Sequence, residues 1–394
     1  MKLLFAHDFH IMRDESGTVY TSGVFPYSVW QRYLAWFDEL VVVGRKGKLI
    51  AEPSSLSQST GPGVSFVEVP TLSDPISRIR NYAQVRETIE GAMLACDAAI
   101  IRLPSEVGLC AIQVALKLKK PFAVEVVGCA WDSIWYYGSW QGRLYAPISY
   151  LVTRHAVKQS TCTMYVTQQF LQRRYPSSGS SFSCSNVEIE YDVQALNRRL
   201  EKIDSLSGTM KLGLIGNLTG GIKGVDLAIK ALSLVHRSLP GMELHVLGGG
   251  SPQHLIDLAR KHGVADHVFF YGTLPSGQAV HRWLDDMDLY IQPSKAEGLP
   301  RALIEAMSRG CPSVGAIAGG IPELLDTDYL HKRSDEQELA ARIVGLAGNR
   351  AAMREQAERN VKRAYDYRKE ENEKNRVRFL SKLVETIRQQ QHQN

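Results

Sequence analysis

The sequence lacks several features that would each identify a large class of proteins. It has no uninterrupted apolar run that approaches the ~20 residues needed for a membrane-spanning helix. Its six cysteines form no C-x-x-C pair, which argues against a disulfide framework or a metal site and favours buried free thiols in a reducing cytosol. Neither glycine-rich loop of its second half has the G-x-G-x-x-G spacing of a dinucleotide fingerprint. Membrane-spanning proteins, disulfide scaffolds and dinucleotide-dependent oxidoreductases are therefore poor matches.

Length and composition favour a globular protein of more than one domain. The chain has 394 residues, of which 44% are hydrophobic and 22% charged, and a single core rarely supports that length. The short apolar run Met1–Ala6 stops at charged residues, which predicts a first β-strand and not a signal peptide. We therefore expect a cytoplasmic protein.

Acidic residues are absent from one long segment, Ser133–Val187. The basic residues of that segment are Arg143, Arg154, Lys158, Arg173 and Arg174, and the aromatic residues at and around its start are Trp131, Trp135, Tyr136, Tyr137, Trp140, Tyr145 and Tyr150. Basic residues beside Trp and Tyr suit an anionic membrane surface or a pyrophosphate-linked lipid. The alternative, of equal weight, is a helix with a solvated basic face and a buried aromatic face. No nucleic-acid module is recognisable, so we expect no nucleic-acid partner.

Strand-like and helix-like segments alternate along the chain, which predicts an α/β fold with parallel sheets. The first strand is expected at Lys2–Ala6 and a later helix at Arg143–Lys158; the pattern breaks near Gln194–Ser207 and restarts at Leu212. We therefore expect two doubly wound domains with a ligand cleft at the carboxyl ends of their strands. The expected division has three parts: 1–205, 206–365 and a charged helical tail at 366–394.

Two glutamates stand eight positions apart late in the chain. Glu297 precedes a short loop, and Glu305 lies in the opening turns of a helix predicted at Pro300–Ser308, with Pro300 in the first helical position. A helix N-terminus offers unpaired N–H groups and partial positive charge, and it binds phosphate readily. Carboxylates on either side of it could flank the phosphates of a nucleotide and accept hydrogen bonds from hydroxyl groups.

A glycine-rich loop follows the first predicted strand of the second half. It runs from Gly216 to Gly224 and contains Lys223. Glycines let the backbone approach an anion closely, and Lys223 supplies a mobile positive charge. These residue types at the end of a strand predict a phosphate-binding loop.

These motifs resemble those of retaining GT-B glycosyltransferases, the large glycosyltransferase family 4 group. The matching features are the E-x7-E spacing of Glu297 and Glu305 and the K-G-x-D run from Lys223 to Asp226. A less specific similarity around 124–132 is to the bacterial subgroup that builds capsular or O-antigen polysaccharides. The resemblance spans essentially the whole chain. It implies two Rossmann-like domains that face a central cleft, with a C-terminal helix bracing the first domain.

By this resemblance the second domain binds a nucleotide-sugar donor. Lys223 would hold the pyrophosphate and neutralise charge on the leaving nucleotide, Glu297 would bind hydroxyls of the donor sugar, and Glu305 would bind the ribose. Asn217 stands where the family usually has an arginine, and Arg301 is a candidate to compensate. The other expected donor contacts are Gly216, Gly250, Tyr271, Gly272, Gly298 and Leu299.

The first domain is expected to bind the acceptor. Many members of the family carry a histidine after the strand that corresponds to Phe122–Val127, and this chain has none there. Asp132 is the candidate substitute, to contact the donor sugar or the acceptor hydroxyl, although a loop aspartate more often caps a helix. The expected acceptor residues are His7, His10, Gly17, Trp131 and Asp132.

The sequence thus predicts a retaining glycosyltransferase that moves a sugar from a nucleotide-diphosphate donor to a glycan carried by polyprenyl pyrophosphate. It would act in bacterial surface polysaccharide synthesis, in the cytoplasm or on the inner face of the plasma membrane. The charge on Lys223 and on helix N-termini predicts that neither a metal nor another cofactor is needed. The alternatives are a non-catalytic nucleotide- or glycan-binding partner of a polysaccharide synthase complex, a nucleotide-sugar epimerase and a sugar phosphorylase.

Overall fold

A computed structural model describes residues 1–23, 25–50, 56–137, 139–187, 189 and 192–393. The strands are β1 Lys2–Arg13, β2 Val19–Thr21, β3 Glu39–Leu49, β4 Ser57–Gln58, β5 Val64–Val69, β6 Ala98–Leu103, β7 Phe122–Val126, β8 Cys162–Tyr165, β9 Ser180–Ser183, β10 Met210–Ile215, β11 Met242–Leu247, β12 Val268–Phe270, β13 Leu289–Gln292, β14 Ser313–Ala316 and β15 Leu330–His331. The helices are α1 Tyr27–Leu34, α2 Pro75–Leu94, α3 Glu106–Lys117, α4 Ala130–Trp135, α5 Trp140–Lys158, α6 Phe170–Arg174, α7 Val193–Asp204, α8 Val225–Val235, α9 Gln253–Lys261, α10 Gln278–Asp286, α11 Arg301–Ser308, α12 Glu336–Ala347, α13 Arg350–Ala364 and α14 Lys369–Gln393.

The first domain is built on a parallel sheet in the order β5-β3-β1-β6-β7-β8-β9. The short strands β2 and β4 extend it by antiparallel pairing at the far end of β1. Helices connect the parallel strands, and apolar clusters lie on both faces of the sheet. This is the doubly wound arrangement that the alternating sequence pattern predicts.

The second domain has a six-stranded parallel sheet in the order β12-β11-β10-β13-β14-β15. Its first strand, β10, lies between β11 and β13, so the strand order reverses there. The crevice at such a reversal is where ligands bind in open α/β sheets. The loops after β10, β11, β12 and β13 are the ones that carry the motifs of the sequence.

Two helices fix the ends of the domains. Helix α7 packs on the second domain: the Arg199 guanidinium is buried and donates to the carbonyls of Leu284 at 2.9 Å and Arg309 at 3.2 Å. Helix α14 returns to the first domain, where Phe379 and Leu383 join the apolar cluster of Phe5. The chain therefore crosses between the domains twice, before α7 and before α14.

Three elements near the candidate site or the basic segment differ from their predicted bounds for physical reasons that the structure shows. Strand β1 runs on to Arg13 because, after an irregularity that follows Ala6, it pairs again with the long strand β3. Helix α5 begins at Trp140, since the Ser139 hydroxyl accepts from the Gly142 N–H at 3.0 Å and caps it there. Helix α11 begins at Arg301, because Pro300 has extended backbone (φ −74°, ψ 106°) and is the N-cap, not the first helical residue.

The six cysteines are buried and unpaired, in agreement with the sequence prediction. Among the described residues, every helix is too short or too polar to span a bilayer.

Candidate active site

The loops after β10, β11 and β12 form one connected surface at the carboxyl edge of the second sheet. The Gly216 N–H donates to the Leu247 carbonyl at 2.9 Å, and the Leu218 N–H donates to the Gly249 carbonyl at 2.9 Å. The Gly248 N–H donates to the Gly272 carbonyl at 2.7 Å. These bonds hold the predicted phosphate-binding loop rigidly against its neighbours.

Lys223 and Glu297 meet at the centre of this edge. The Lys223 Nζ lies 2.6 Å from Oε1 of Glu297, whose side chain is nearly buried at 8% exposure. Gly216 permits the contact, because a Cβ there would lie only 2.7 Å from Cβ of Lys223. Gly224 has φ +73° and its Cβ position lies 2.3 Å from the Pro293 carbonyl oxygen, so the residue after Lys223 must be glycine. The structure thus joins the two motifs that the sequence predicts to act together.

A buried hydrogen-bond chain orients Glu297 from the sheet side. The Gln292 side-chain amide donates to Oε1 of Glu297 at 3.2 Å and to the Ser294 hydroxyl at 2.8 Å. Its oxygen accepts from the Tyr290 hydroxyl at 2.8 Å. The same hydroxyl accepts from the Ile215 N–H at 3.4 Å, at the end of β10. The chain therefore links the end of β10, just before the phosphate-binding loop, to the carboxylate of Glu297.

Close backbone packing explains the glycines around Glu297. A Cβ on Gly319 would lie 2.1 Å from the Glu297 carbonyl oxygen, and the Gly320 N–H donates to the Gly298 carbonyl at 2.7 Å. A Cβ on Gly298 would lie 2.1 Å from the Val127 carbonyl oxygen, which belongs to the first domain. Of the glycines at this edge, Gly298 therefore makes the closest backbone approach to the first domain.

Helix α11 presents its N-terminus beside this pair. Its first-turn N–H groups have no partner within the helix, and Leu299 is buried immediately before it. Arg301 is exposed, and Glu305 is half-buried one turn later. Burial raises the pKa of the Glu305 carboxyl above its ordinary value, while the positive charge of Arg301 opposes that shift. No hydrogen bond to this carboxylate is found among the described residues.

The other predicted donor residues lie around this edge with different partners. Asn217 is exposed and its side-chain oxygen accepts from the Thr219 N–H at 2.7 Å, so it stabilises a turn. Gly250 has φ +115° and packs on that same turn: a Cβ added to it would lie 2.9 Å from Oγ1 of Thr219. Tyr271 directs its hydroxyl to Nδ1 of His245 at 2.8 Å, and Gly272 has φ +68°. A small pocket lies beside the turn and is lined by residues that include Asn217, Lys223, Asp226 and His254.

Asp132 belongs to an ion-pair cluster that joins the domains. It lies in the first turn of α4 and is buried, with Arg333 of the second domain at 3.3 Å and Arg174 at 3.7 Å. The Arg333 guanidinium also lies 5.2 Å from the centre of the Tyr136 ring. In this arrangement both carboxylate oxygens of Asp132 face arginines. Its predicted contact with a sugar hydroxyl stays a prediction.

The remaining acceptor candidates are spread over the first domain. His7 is half-buried with Nδ1 3.2 Å from the Arg102 carbonyl, and burial lowers its pKa to about 3, with the Arg102 charge acting in the same direction. His10 is exposed on β1, and Gly17 (φ +84°) lies at the turn between β1 and β2. Trp131 is half-buried and stacks on Trp135 at 5.5 Å. His7 and His10 therefore lie within β1 and not at its end, because the strand runs on to Arg13, and Gly17 follows that longer strand. Their roles stay predictions.

Two residues of the site escape prediction from the sequence. The Glu323 carboxylate accepts from the N–H groups of Gln168 at 2.7 Å and Phe170 at 2.6 Å, so it caps α6 of the other domain. Gln292 orients Glu297, as described above. A single glutamate or glutamine carries no local signal for such a role, because its partners are distant in sequence.

Comparison with known proteins places these motifs in a family. Residues 209–349 match the model described as "Glycosyl transferases group 1". The chain is 33% identical to Protein CapJ of Staphylococcus aureus over 345 residues, which cover 87% of this chain and 85% of that protein. The chain belongs to the group 1 glycosyl transferases. It is also 30% identical to the amylovoran biosynthesis glycosyltransferase AmsK of Erwinia amylovora over 158 residues, 38% of each chain.

Solved structures agree on the fold of this glycosyltransferase. Sucrose-phosphate synthase from Thermosynechococcus elongatus superposes with a TM-score of 0.68 at 14% identity, covering 98% of this chain and all of that one. The lipopolysaccharide biosynthesis glycosyltransferase WaaG superposes with a TM-score of 0.62 at 15% identity, covering 96% of this chain and 98% of that one. These likenesses confirm the predicted GT-B fold.

Proposed function

We propose that this glycosyltransferase transfers a sugar from a nucleotide-diphosphate donor with retention of the anomeric configuration. The observation that carries the proposal is the Lys223–Glu297 pair at 2.6 Å beside the N-terminus of α11. A diphosphate could accept from Lys223 and from the N–H groups of α11, while hydroxyls of the sugar donate to Glu297. The pair thus provides a cation for the phosphate and a carboxylate for the sugar at adjacent positions.

The reaction needs charge stabilisation more than a protein nucleophile. As the bond between the anomeric carbon and the phosphate oxygen breaks, negative charge grows on the leaving nucleotide. Lys223 and the helix N-terminus would stabilise that charge, and Arg301 on the first turn of α11 would add to it. The leaving phosphate can take the proton of the incoming hydroxyl on the same face of the sugar. We therefore propose that neither a metal nor another cofactor is required.

The acceptor would bind against the first domain. The named relatives support a glycan acceptor, since AmsK is called an amylovoran biosynthesis glycosyltransferase. We propose a lipid-linked glycan of a bacterial surface polysaccharide, elongated at the cytoplasmic face of the membrane. The basic, acid-free segment that includes α5 would favour such an anionic acceptor.

The direct test is transfer to polyprenyl-pyrophosphate glycans extracted from a bacterium that makes a surface polysaccharide. The purified enzyme, the extract and a panel of nucleotide sugars would be incubated with EDTA, and the product linkage would be determined by NMR. We expect transfer from one donor in the presence of EDTA, with the donor's anomeric configuration kept in the product.

Three results would contradict the proposal in different ways. Inversion at the anomeric carbon would refute the retaining mechanism. Dependence on a divalent metal would refute the proposal that Lys223 and the N-terminus of α11 suffice to stabilise the leaving nucleotide. Release of an epimerised free sugar instead of a glycan would indicate an epimerase.

A further inference from the structure

Helix α5 carries a stripe of large apolar side chains that face solvent. Trp140, Leu144, Ile148, Leu151 and Val152 are each 40% to 68% exposed. Spacings of three and four residues put them on one side of the helix. The residues that α5 turns into the fold are instead small or medium-sized: Ala146, Ser149, Thr153, Ala156 and Val157. The packing of the domain therefore does not account for the apolar stripe.

The first turns of α2 lie beside α5 and expose two further large apolar side chains. The Arg78 guanidinium lies 4.4 Å from the centre of the Tyr145 ring, and both side chains contact Glu106, at 2.9 Å and 3.0 Å. Ile76 and Ile79, on either side of Arg78, are 78% and 87% exposed. We call this surface the α2–α5 patch: Ile76, Ile79, Trp140, Leu144, Ile148, Leu151 and Val152.

Positive charge borders the patch. Arg143, Arg154 and Lys158 are exposed on α5, and the segment from 133 to 187 has no Asp or Glu. Asp74 is the acidic residue next to Ile76, and its carboxylate accepts from the Ser77 N–H at 3.0 Å as the cap of α2. A second copy of the chain would bring the same cations face to face in a two-fold contact. An anionic partner is the better match.

The patch begins at the mouth of the cleft. Tyr137, three residues before α5, is exposed, and its ring lies 4.0 Å from the Cβ position of Gly220 in the phosphate-binding loop. Whatever binds the patch is therefore held next to the site of the proposed sugar transfer. A lipid-linked acceptor carries its pyrophosphate at the surface of the bilayer. A bilayer bound to the patch would therefore bring that pyrophosphate next to the site of sugar transfer.

We propose that the α2–α5 patch docks this glycosyltransferase onto an anionic bilayer. Trp140, Leu144 and Ile148 enter the headgroup region, and the basic residues contact lipid phosphates. The inference rests on the proposed function, because docking onto a bilayer explains how the enzyme reaches a lipid-linked acceptor. Of the basic residues in the segment that the sequence singles out, the docking surface leaves out Arg173 and Arg174. Arg174 pairs with Asp132, and Arg173 donates to the Gln169 side chain at 2.7 Å.

Sedimentation with vesicles of phosphatidylglycerol and phosphatidylcholine tests the docking surface directly. We expect the double variant Leu144→Glu/Ile148→Glu to bind at least about tenfold more weakly than the parent protein. The matched control is Leu94→Glu, which changes an equally exposed leucine at the other end of α2 and should leave binding unchanged. The triple variant Arg143→Ala/Arg154→Ala/Lys158→Ala should lose the dependence on phosphatidylglycerol and on low salt.

Equal vesicle binding by the double variant and the parent protein would overturn the proposal. So would conversion of a parent dimer to a monomer by the same variant, since the patch would then be a contact between copies. Hydrolysis of the nucleotide-sugar donor without vesicles separates this inference from the proposed function. It should be unchanged in all these variants, so a loss of vesicle binding with normal donor hydrolysis concerns the docking surface alone.

Discussion

At the scale of single residues, Lys223 and Glu297 neutralise each other at 2.6 Å. Under the proposed function, a bound donor would replace that contact with one to each residue. The resemblance of the sequence motifs to those of the family predicts that these two residues act together. The structure places them in the loops after β10 and β13 of one parallel sheet. Their direct contact cannot be predicted, since it depends on Gly216 making room for the lysine side chain.

Removal of the lysine charge should impair the chemical step. We expect Lys223→Ala to reduce kcat by about 100-fold to 1,000-fold, the usual effect of losing one group that stabilises a developing anion. The measurement is steady-state nucleotide release. Lys261→Ala, on the exposed end of α9, is the matched control. Normal turnover in Lys223→Ala would refute the role.

Gln292 should position Glu297 through the 3.2 Å hydrogen bond. Gln292→Glu keeps the shape but puts a second carboxylate beside the first, and two carboxylates this close resist being ionised together. One of them then keeps its proton to higher pH. The acidic limb of the kcat/KM profile should therefore move to higher pH, with KM for the donor rising more than kcat falls. An unchanged pH profile would show that Gln292 is only a packing residue.

His7 should make the first domain sensitive to acid. Its pKa is about 3 in the folded chain, whereas an unfolded chain has the ordinary value near 6.5, so between these values the unfolded state binds more protons. Stability must therefore fall as pH falls below about 6.5. Between pH 7 and 4 we expect the parent protein to lose up to about 3 kcal/mol relative to His7→Gln, measured by urea unfolding. Parallel stability curves for the two proteins would contradict the assignment.

At the scale of elements, helix α11 and the loop before it are the best-predicted part of the chain. Apolar residues at helical spacing predict the helix, and its start is off by one residue because Pro300 adopts extended backbone. The sequence predicts the start of helix α5 to within three residues, but it does not predict which face of the helix packs on the domain. Both of its faces carry apolar residues, so the sequence pattern cannot decide which face is buried.

Two glycines should respond in opposite ways to alanine. Gly345 lies in α12 with nothing within 4 Å of its Cβ position, so Gly345→Ala should stabilise the protein by up to about 1 kcal/mol. Gly298→Ala would put a methyl group 2.1 Å from the Val127 carbonyl oxygen and should lower both Tm and donor turnover. Thermal unfolding followed by circular dichroism measures the Tm of both variants, and nucleotide release measures donor turnover. Equal shifts in Tm would contradict the close approach at Gly298.

At the scale of the whole molecule, two charged contacts hold the domains together beside the cleft. Glu323 caps α6, and Arg333 pairs with Asp132. The alternating pattern of the sequence predicts two doubly wound domains. It cannot predict these contacts, because their partners lie more than 150 positions apart.

Loss of either contact should loosen the domain arrangement. We expect Glu323→Ala and Arg333→Ala each to make the association of the two domains less favourable by about 1–3 kcal/mol. Each substitution removes one partner of a hydrogen-bonded charge. The radius of gyration from small-angle X-ray scattering should increase, while each domain keeps its secondary structure. Asp328→Ala, on an exposed turn of the second domain, serves as the control. An unchanged radius in both variants would show that these contacts do not hold the domains.

The most direct test of the central claim is release of free nucleotide from a panel of nucleotide sugars by the purified protein without metal. The account predicts slow hydrolysis of one donor, lost in both Lys223→Ala and Glu297→Gln and kept in Lys261→Ala. Hydrolysis that survives in both site variants would contradict the claim that the Lys223–Glu297 pair binds and activates the donor.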